Sequence, residues 1–124
     1  MAGIFSGRAW GPKYQRIPKP CQDYALHWVC PQQTQYLLVV CDGAGTAKFS
    51  EKASEAMAKG LRDFFQANVD SDDFQNIVEF DLQKKLIQCL KDKFKEIVVE
   101  LRGEGKKFTP HDLNTTLLFV YVDT

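Results

Sequence analysis

Two acids and a pair of glycines are where this sequence can do chemistry. The stretch Leu37-Leu38-Val39-Val40-Cys41-Asp42-Gly43-Ala44-Gly45 runs from an apolar segment of strand formers into Asp-Gly-Ala-Gly. A buried strand ending there displays a carboxylate on a rigid support, and glycines let backbone carbonyls and amides approach an ion or a phosphate. A second acid, Asp23, opens a segment in which Tyr24, Leu26, Trp28 and Cys30 alternate with Ala25, His27 and Val29, the period of two of a strand. The polar stretch Pro31-Gln32-Gln33-Thr34-Gln35 joins the two segments as a turn, so a hairpin is predicted. In an antiparallel hairpin the start of the first strand lies beside the end of the second, which brings Asp23 next to Asp42. Two carboxylates at close range repel, and a divalent cation removes the conflict. Asp oxygens and glycine carbonyls are hard donors that suit Mg²⁺ or Mn²⁺, and no nearby His or Cys set suggests zinc. The plain alternative is a strand-turn-helix connection in which Asp23 caps a turn and Asp42 faces solvent, since Asp-Gly is also a common turn dipeptide.

Helices must hold this hairpin. Phe49, Ala53, Ala56, Met57, Leu61, Phe64 and Phe65 recur at helical spacing, with Ser50 as N-cap and Glu51 in the first turn, so a helix is predicted to about residue 67. Asn68-Val69-Asp70-Ser71-Asp72-Asp73 interrupts it as a solvated capping loop, without the Gly and closing Glu of a calcium loop. Leu82, Leu86, Ile87, Leu90, Phe94, Ile97, Val98 and Leu101 form the apolar stripe of a second helix with a lysine-rich outer face, ended by Gly103 and Gly105. Thr109-Pro110-His111-Asp112 turns the chain, with His111 read as a loop residue, and Leu113 to Val122 is predicted to be a long, buried strand. Before the hairpin, residues 4–10 suit a strand, and the proline-rich stretch 11–20 is a loop carrying Lys13, Arg16 and Lys19. Those cations suit either solvent or a phosphorylated group.

The order of strands, two long helices and a strand predicts an α+β domain, residues 1–124 forming one unit with a helix pair over one face of a sheet. A sheet ending on an apolar strand leaves a face or edge uncovered, so a missing second half, self-association or a partner over the last strand is expected.

Composition excludes several classes. The chain has 124 residues, 44% of them apolar, enough for a core, and its 16 basic and 16 acidic residues cancel, so no global field favours nucleic acid or an anionic membrane. No apolar run approaches the roughly 20 residues of a spanning helix. Cys21, Cys30, Cys41 and Cys89 show no CxxC pair and sit in apolar patterns, as reduced, packed thiols do. A soluble, cytoplasmic protein is the expectation.

Pro20-Cys21-Gln22-Asp23, followed by a strand ending in Cys41-Asp42-Gly43-Ala44-Gly45-Thr46-Ala47-Lys48-Phe49-Ser50, resembles the start of the PP2C (PPM) metal-dependent serine/threonine phosphatases. The closest likeness is to the bacterial branch with PCQD and DGAGSA-like segments, and Asn114-Thr115-Thr116-Leu117-Leu118 resembles the family's next strand. The resemblance spans the chain but only about the first half of the family's domain. It implies a β-sandwich flanked by antiparallel helix pairs, a centre of two Mn²⁺ or Mg²⁺ ions, and hydrolysis of phosphoserine or phosphothreonine in proteins by a metal-activated water. Asp42 matches the bridging metal ligand on which catalysis depends, Gly43 the glycine that lends a carbonyl, and Asp23 the acid before the second strand. Arg8 and Arg16 are the candidates for a phosphate-binding arginine. The family's later Asp ligands belong to motifs beyond the last strand seen here, so half of a metal site is expected, and the proton donor is unassigned. A non-catalytic PP2C-like binding or regulatory module is the alternative. A nucleotide-binding turn is disfavoured, because GxGxxG and GxxxxGK[ST] spacings are absent.

Overall fold

A computed structural model of the chain describes residues 21–71, 74 and 76–124. The predicted strand over residues 4–10 and the basic loop over residues 11–20 lie outside the described residues. The architecture is α+β. Strands β1 (Tyr24–Val29), β2 (Gln35–Cys41) and β3 (Leu118–Asp123) form an antiparallel sheet with β2 in the centre. Helix α1 (Ser50–Asn68) lies on one face of the sheet, and α2 (Glu79–Gly103) packs against α1.

Alternation decides which face is inside. Leu37, Val39 and Cys41 of β2 are buried under α1 beside Leu26 of β1, while Leu38 and Val40 point outward. On the helix side Ala53, Met57, Ala58, Leu61 and Phe65 form the facing stripe, and Leu86, Ile97 and Leu101 of α2 close the core. Each large apolar side chain buried here contributes about 1.5–3 kcal/mol relative to exposure. Burial also pushes the Cys41 thiol up to about 11, and Cys21 and Cys30 are buried as well, so the packed, reduced thiols read from sequence are present. Cys30 closes the hairpin turn. Its Sγ accepts from the amides of Thr34 (3.3 Å) and Gln35 (3.2 Å), and contact with the Thr34 hydroxyl, more than these amides, holds its pKa below the ordinary value.

Three local expectations are corrected. Ser50 is the first residue of α1 rather than its cap, because its Oγ donates to the Ala44 carbonyl (3.1 Å) and so ties the helix to the preceding loop. The apolar stripe of α2 is wider than α1 can cover, leaving Ile87 and Phe94 exposed. The last strand is shorter and less buried than predicted: Pro110–Leu113 forms a 3₁₀ turn, β3 begins at Leu118, and Leu118, Val120 and Val122 join Leu38 and Val40 on an open outer face. These five side chains are 43–70% exposed, the uncovered apolar face expected of this strand order. The glycine-rich end of α2 is as expected: Gly105 takes φ +72°, Lys106 N donates to Leu101 O (2.9 Å) and Gly105 N to Arg102 O (3.0 Å), the Schellman pattern. No described helix is long and apolar enough to cross a membrane.

Candidate metal centre

The hairpin register carries Asp23 to Asp42. Tyr24 pairs with Cys41, and the Gly43 amide donates to the Gln22 carbonyl (3.2 Å), so the acids between these two pairs stand opposite one another on the outer face of the sheet. Both are exposed. This is the convergence read from the hairpin pattern.

The loop after Asp42 is moulded from two sides. On one side Gln22 accepts from the Gly43 amide and from Ser54 Oγ (2.7 Å), and its Nε2 donates to the Ala47 carbonyl (2.9 Å). On the other side the segment before β3 runs antiparallel to the loop. Thr116 N donates to the Asp42 carbonyl (2.9 Å), the Asp42 amide donates to Thr116 Oγ1 (3.0 Å), and the Ala44 amide donates to Asn114 O (3.0 Å). Asp42 is therefore fixed at both its amide and its carbonyl, while its carboxylate takes no hydrogen bond or ion pair among the described residues. Thr116→Val removes the acceptor of the Asp42 amide, and a loss of about 1 kcal/mol of stability is expected in urea unfolding.

Gly43 is required by space. A Cβ built there would lie 2.5 Å from the Gln22 carbonyl oxygen and 2.9 Å from the Cβ atoms of Gln22 and Ser50. Its own carbonyl receives no hydrogen bond among the described residues. At Gly45 an added Cβ would meet, among the described residues, only Gln22 Oε1, at 3.9 Å, so no described neighbour approaches closely enough to demand glycine there.

The role of one residue of the Pro110–Leu113 turn escaped the sequence reading. Asp112, buried in the 3₁₀ turn, accepts from the amides of Thr109 (2.9 Å) and Lys48 (3.3 Å), and its carbonyl accepts from the Phe49 amide (2.8 Å). The signal was Thr109-Pro110-His111-Asp112, whose first and fourth residues form a capping box. His111, read as a loop residue, is exposed in this turn, with Nε2 3.1 Å from Thr46 Oγ1 and Nδ1 3.1 Å from Asn114 Nδ2. It steadies the loop from outside.

The hydrogen bond from the Thr109 amide, against the opposing cost of burial, holds the Asp112 carboxyl below its ordinary range. A carboxylate with a lowered folded-state pKa stabilises above its unfolded pKa of about 3.9 and loses that contribution as pH falls through the folded value. Asp112→Asn is thus expected to flatten the fall in Tm on acidification below about pH 4. An unchanged acid limb would show that Asp112 does not hold the turn.

Oxygen donors are what the site offers: the Asp42 carboxylate, the Gly43 carbonyl and Asp23 across the hairpin. Such a set fits Mg²⁺ or Mn²⁺ in kind. In number it is partial, because among the described residues no group of three or more His, Cys, Asp or Glu is arranged to hold a metal. Arg8 and Arg16, the candidate phosphate ligands, lie outside the described residues.

An α+β fold whose strand end displays Asp-Gly against a second Asp defines a domain that can offer oxygen donors to a hard divalent cation. The family model described as protein phosphatase 2C matches residues 11–124. The chain belongs to the protein phosphatase 2C family. No curated protein and no solved structure matched it.

Proposed function

We propose that the chain is part of a metal-dependent phosphoserine/phosphothreonine protein phosphatase of the bacterial PCQD/DGAGSA-like branch. It forms the N-terminal half of the catalytic domain and acts in the cytoplasm, where reduced cysteines are at home. The observation that carries the reading is the apposition of Asp23 and Asp42 beside a Gly43 carbonyl that takes no hydrogen bond among the described residues, in a loop held on both flanks. Asp42, Gly43 and Asp23 would hold the ions, two Mn²⁺ or Mg²⁺. When bound, these supply Lewis acidity for water activation and offset the charge of the transferring phosphoryl group. The chain's own residues prepare the place. Thr116 sets the backbone of Asp42, Gln22 and Ser54 seat the strand bearing Asp23 against the loop, and Asp112 anchors the loop's far end. Further ligands come from beyond the described residues, and the apolar outer face formed by β2 and β3 is covered by the rest of the fold or by a partner.

The incomplete donor set and that open face also favour a second reading, a non-catalytic PP2C-like module that binds through the sheet. Hydrolysis of p-nitrophenyl phosphate with Mn²⁺, run beside Asp42→Asn and beside chelator, separates the two. Metal-dependent turnover that the variant lacks supports the phosphatase. Absence of turnover with retained Mn²⁺ binding points to a half-site awaiting its complement, and absence of both sinks the proposal.

A further inference from the structure

The outer side of α2 is not an evenly solvated helix face. Successive helical residues turn by about 100°, which brings Phe80, Ile87 and Phe94 into one row with Val98 in the next turn. Phe80, Ile87 and Phe94 are 37–64% exposed. The inner edge of the row meets the core at Ile97 and Leu101. Its outer edge carries Lys84, Lys91, Lys95 and Arg102, and the acids Asp81, Asp92, Glu96 and Glu100 fall further round the helix, beyond these cations. None of the four cations forms an ion pair among the described residues, whereas Glu96 and Glu100 are engaged by Lys93 and Lys52. Lys84 Nζ lies 4.3 Å from the centre of the Phe80 ring, which keeps that charge on the row.

Towards the C-terminal end of α2 the row runs into a recess. A cavity of about 480 Å³ opens between Phe94, Val98 and Val99 on the helix and Phe108 and Pro110 on the segment that follows it. Its charged lining residues are Lys95 and Arg102, both basic. The Phe108 ring is set by an edge contact with Phe49 (6.4 Å between centroids), so this wall is formed without an occupant. Phe94 also lines a second cavity of about 220 Å³, beside Met57, Leu90 and Leu113.

Single exposed apolar side chains are ordinary, but a continuous row ending in an apolar recess marks a docking surface. Length sets the kind of occupant, since from Phe80 to Val98 the row runs about 27 Å along the helix, more than a small ligand spans. Charge sets its sign, because an occupant on this row meets four cations without ion pairs before it meets an acid. A lipid surface fits less well. A bilayer takes up protruding apolar side chains, whereas the apolar surface between Val98 and Phe108 is concave.

We propose that α2 docks an acidic amphipathic helix of a partner protein. Apolar side chains of that helix seat along Phe80, Ile87 and Phe94 and fill the recess beside Phe108, and its Asp or Glu residues face Lys84, Lys91, Lys95 and Arg102.

The test is fluorescence anisotropy of a labelled synthetic peptide of about 20 residues, long enough to follow the row, with Leu at the a and d positions of each heptad and Glu at e and g. Titrated with the full chain, it should bind with Kd on the order of 10–100 μM and weaken at least about fivefold when NaCl rises from about 50 to about 500 mM. Amide shifts of the ¹⁵N-labelled chain should centre on Ile87 to Arg102 and on Phe108. The triple variant Lys91→Gln/Lys95→Gln/Arg102→Gln and the double variant Ile87→Ser/Val99→Ser, all at exposed positions, should each weaken binding at least about fivefold, with the salt dependence kept by the double variant and lost by the triple. No binding, equal binding of a peptide with Lys in place of Glu, shifts centred on the open sheet face, or unchanged affinity in either variant overturns the proposal. So does tighter binding to phosphatidylglycerol vesicles than to the peptide, which would make the face a lipid contact. Asp42→Asn should leave the titration unaltered, so this result and that of the phosphatase assay are independent.

Discussion

Gly43→Ala is expected to lower Tm by roughly 5–15 °C, the largest stability effect of any single methyl group near the candidate site. The added Cβ would sit 2.5 Å from the Gln22 carbonyl oxygen, far inside contact distance, and 2.9 Å from two Cβ atoms. Neither side can retreat cheaply. Gln22 O is held by Ser54 Oγ at 2.7 Å, and the Ser50 side chain is hydrogen-bonded to the Ala44 carbonyl at 3.1 Å on the first turn of α1. Relief therefore requires the strand bearing Asp23 and the loop bearing Asp42 to part, which breaks the Gly43–Gln22 hydrogen bond as well. Overpacking of this kind costs about 1–3 kcal/mol, and a chain of this size loses about 3–6 °C per kcal/mol. Mn²⁺ affinity should fall together with stability, since the same movement separates the two acids. Gly45→Ala is the control, because among the described residues the added methyl meets nothing nearer than 3.9 Å. Circular-dichroism melts of both variants decide the matter, and a Gly43→Ala melt indistinguishable from that of Gly45→Ala would show that the close approach does not constrain the loop.

The parts legible in the sequence were those written in short-range periodicity. Alternation along Tyr24 to Cys30 and the polar turn after it set the hairpin, and the hairpin alone places Asp23 opposite Asp42. Helical spacing gave both helices to within a few residues of Ser50–Asn68 and Glu79–Gly103. Legibility stopped where a residue's partner is remote. Thr116 grips Asp42 from 74 positions away and Asp112 grips the Lys48 amide from 64, and nothing local to a threonine or an aspartate announces such a bond. Ser50 reads as a cap because serine before an acid usually is one, yet the Ala44 carbonyl competes for its hydroxyl. Burial of Leu113 to Val122 was overestimated for a related reason. Apolar composition shows that a strand can be buried, but only the layer on its other side decides whether it is, and Leu118 is 70% exposed.

Asp42→Asn is expected to abolish Mn²⁺-dependent stabilisation and any turnover that the chain or its completed form shows, while leaving the metal-free fold intact. The side chain is exposed and accepts no hydrogen bond among the described residues, so the amide creates no void and breaks no contact. It also removes one of two like charges that face each other across the hairpin, and like charges directly opposite destabilise a sheet. The metal-free variant should therefore melt no lower than the parent. With Mn²⁺ present the order reverses. A ligand bound only by the folded state stabilises it by RT ln(1 + [L]/Kd), about 2.7 kcal/mol at a concentration one hundred times Kd. The parent should gain Tm with each decade of Mn²⁺ above its Kd, and the variant should not. The thermal measurement is informative even where catalysis needs ligands from elsewhere, because it reads metal binding rather than turnover. A variant that gains as much from Mn²⁺ as the parent would place the ion away from Asp42, and the apposition of Asp23 and Asp42 would then be a feature of the hairpin alone.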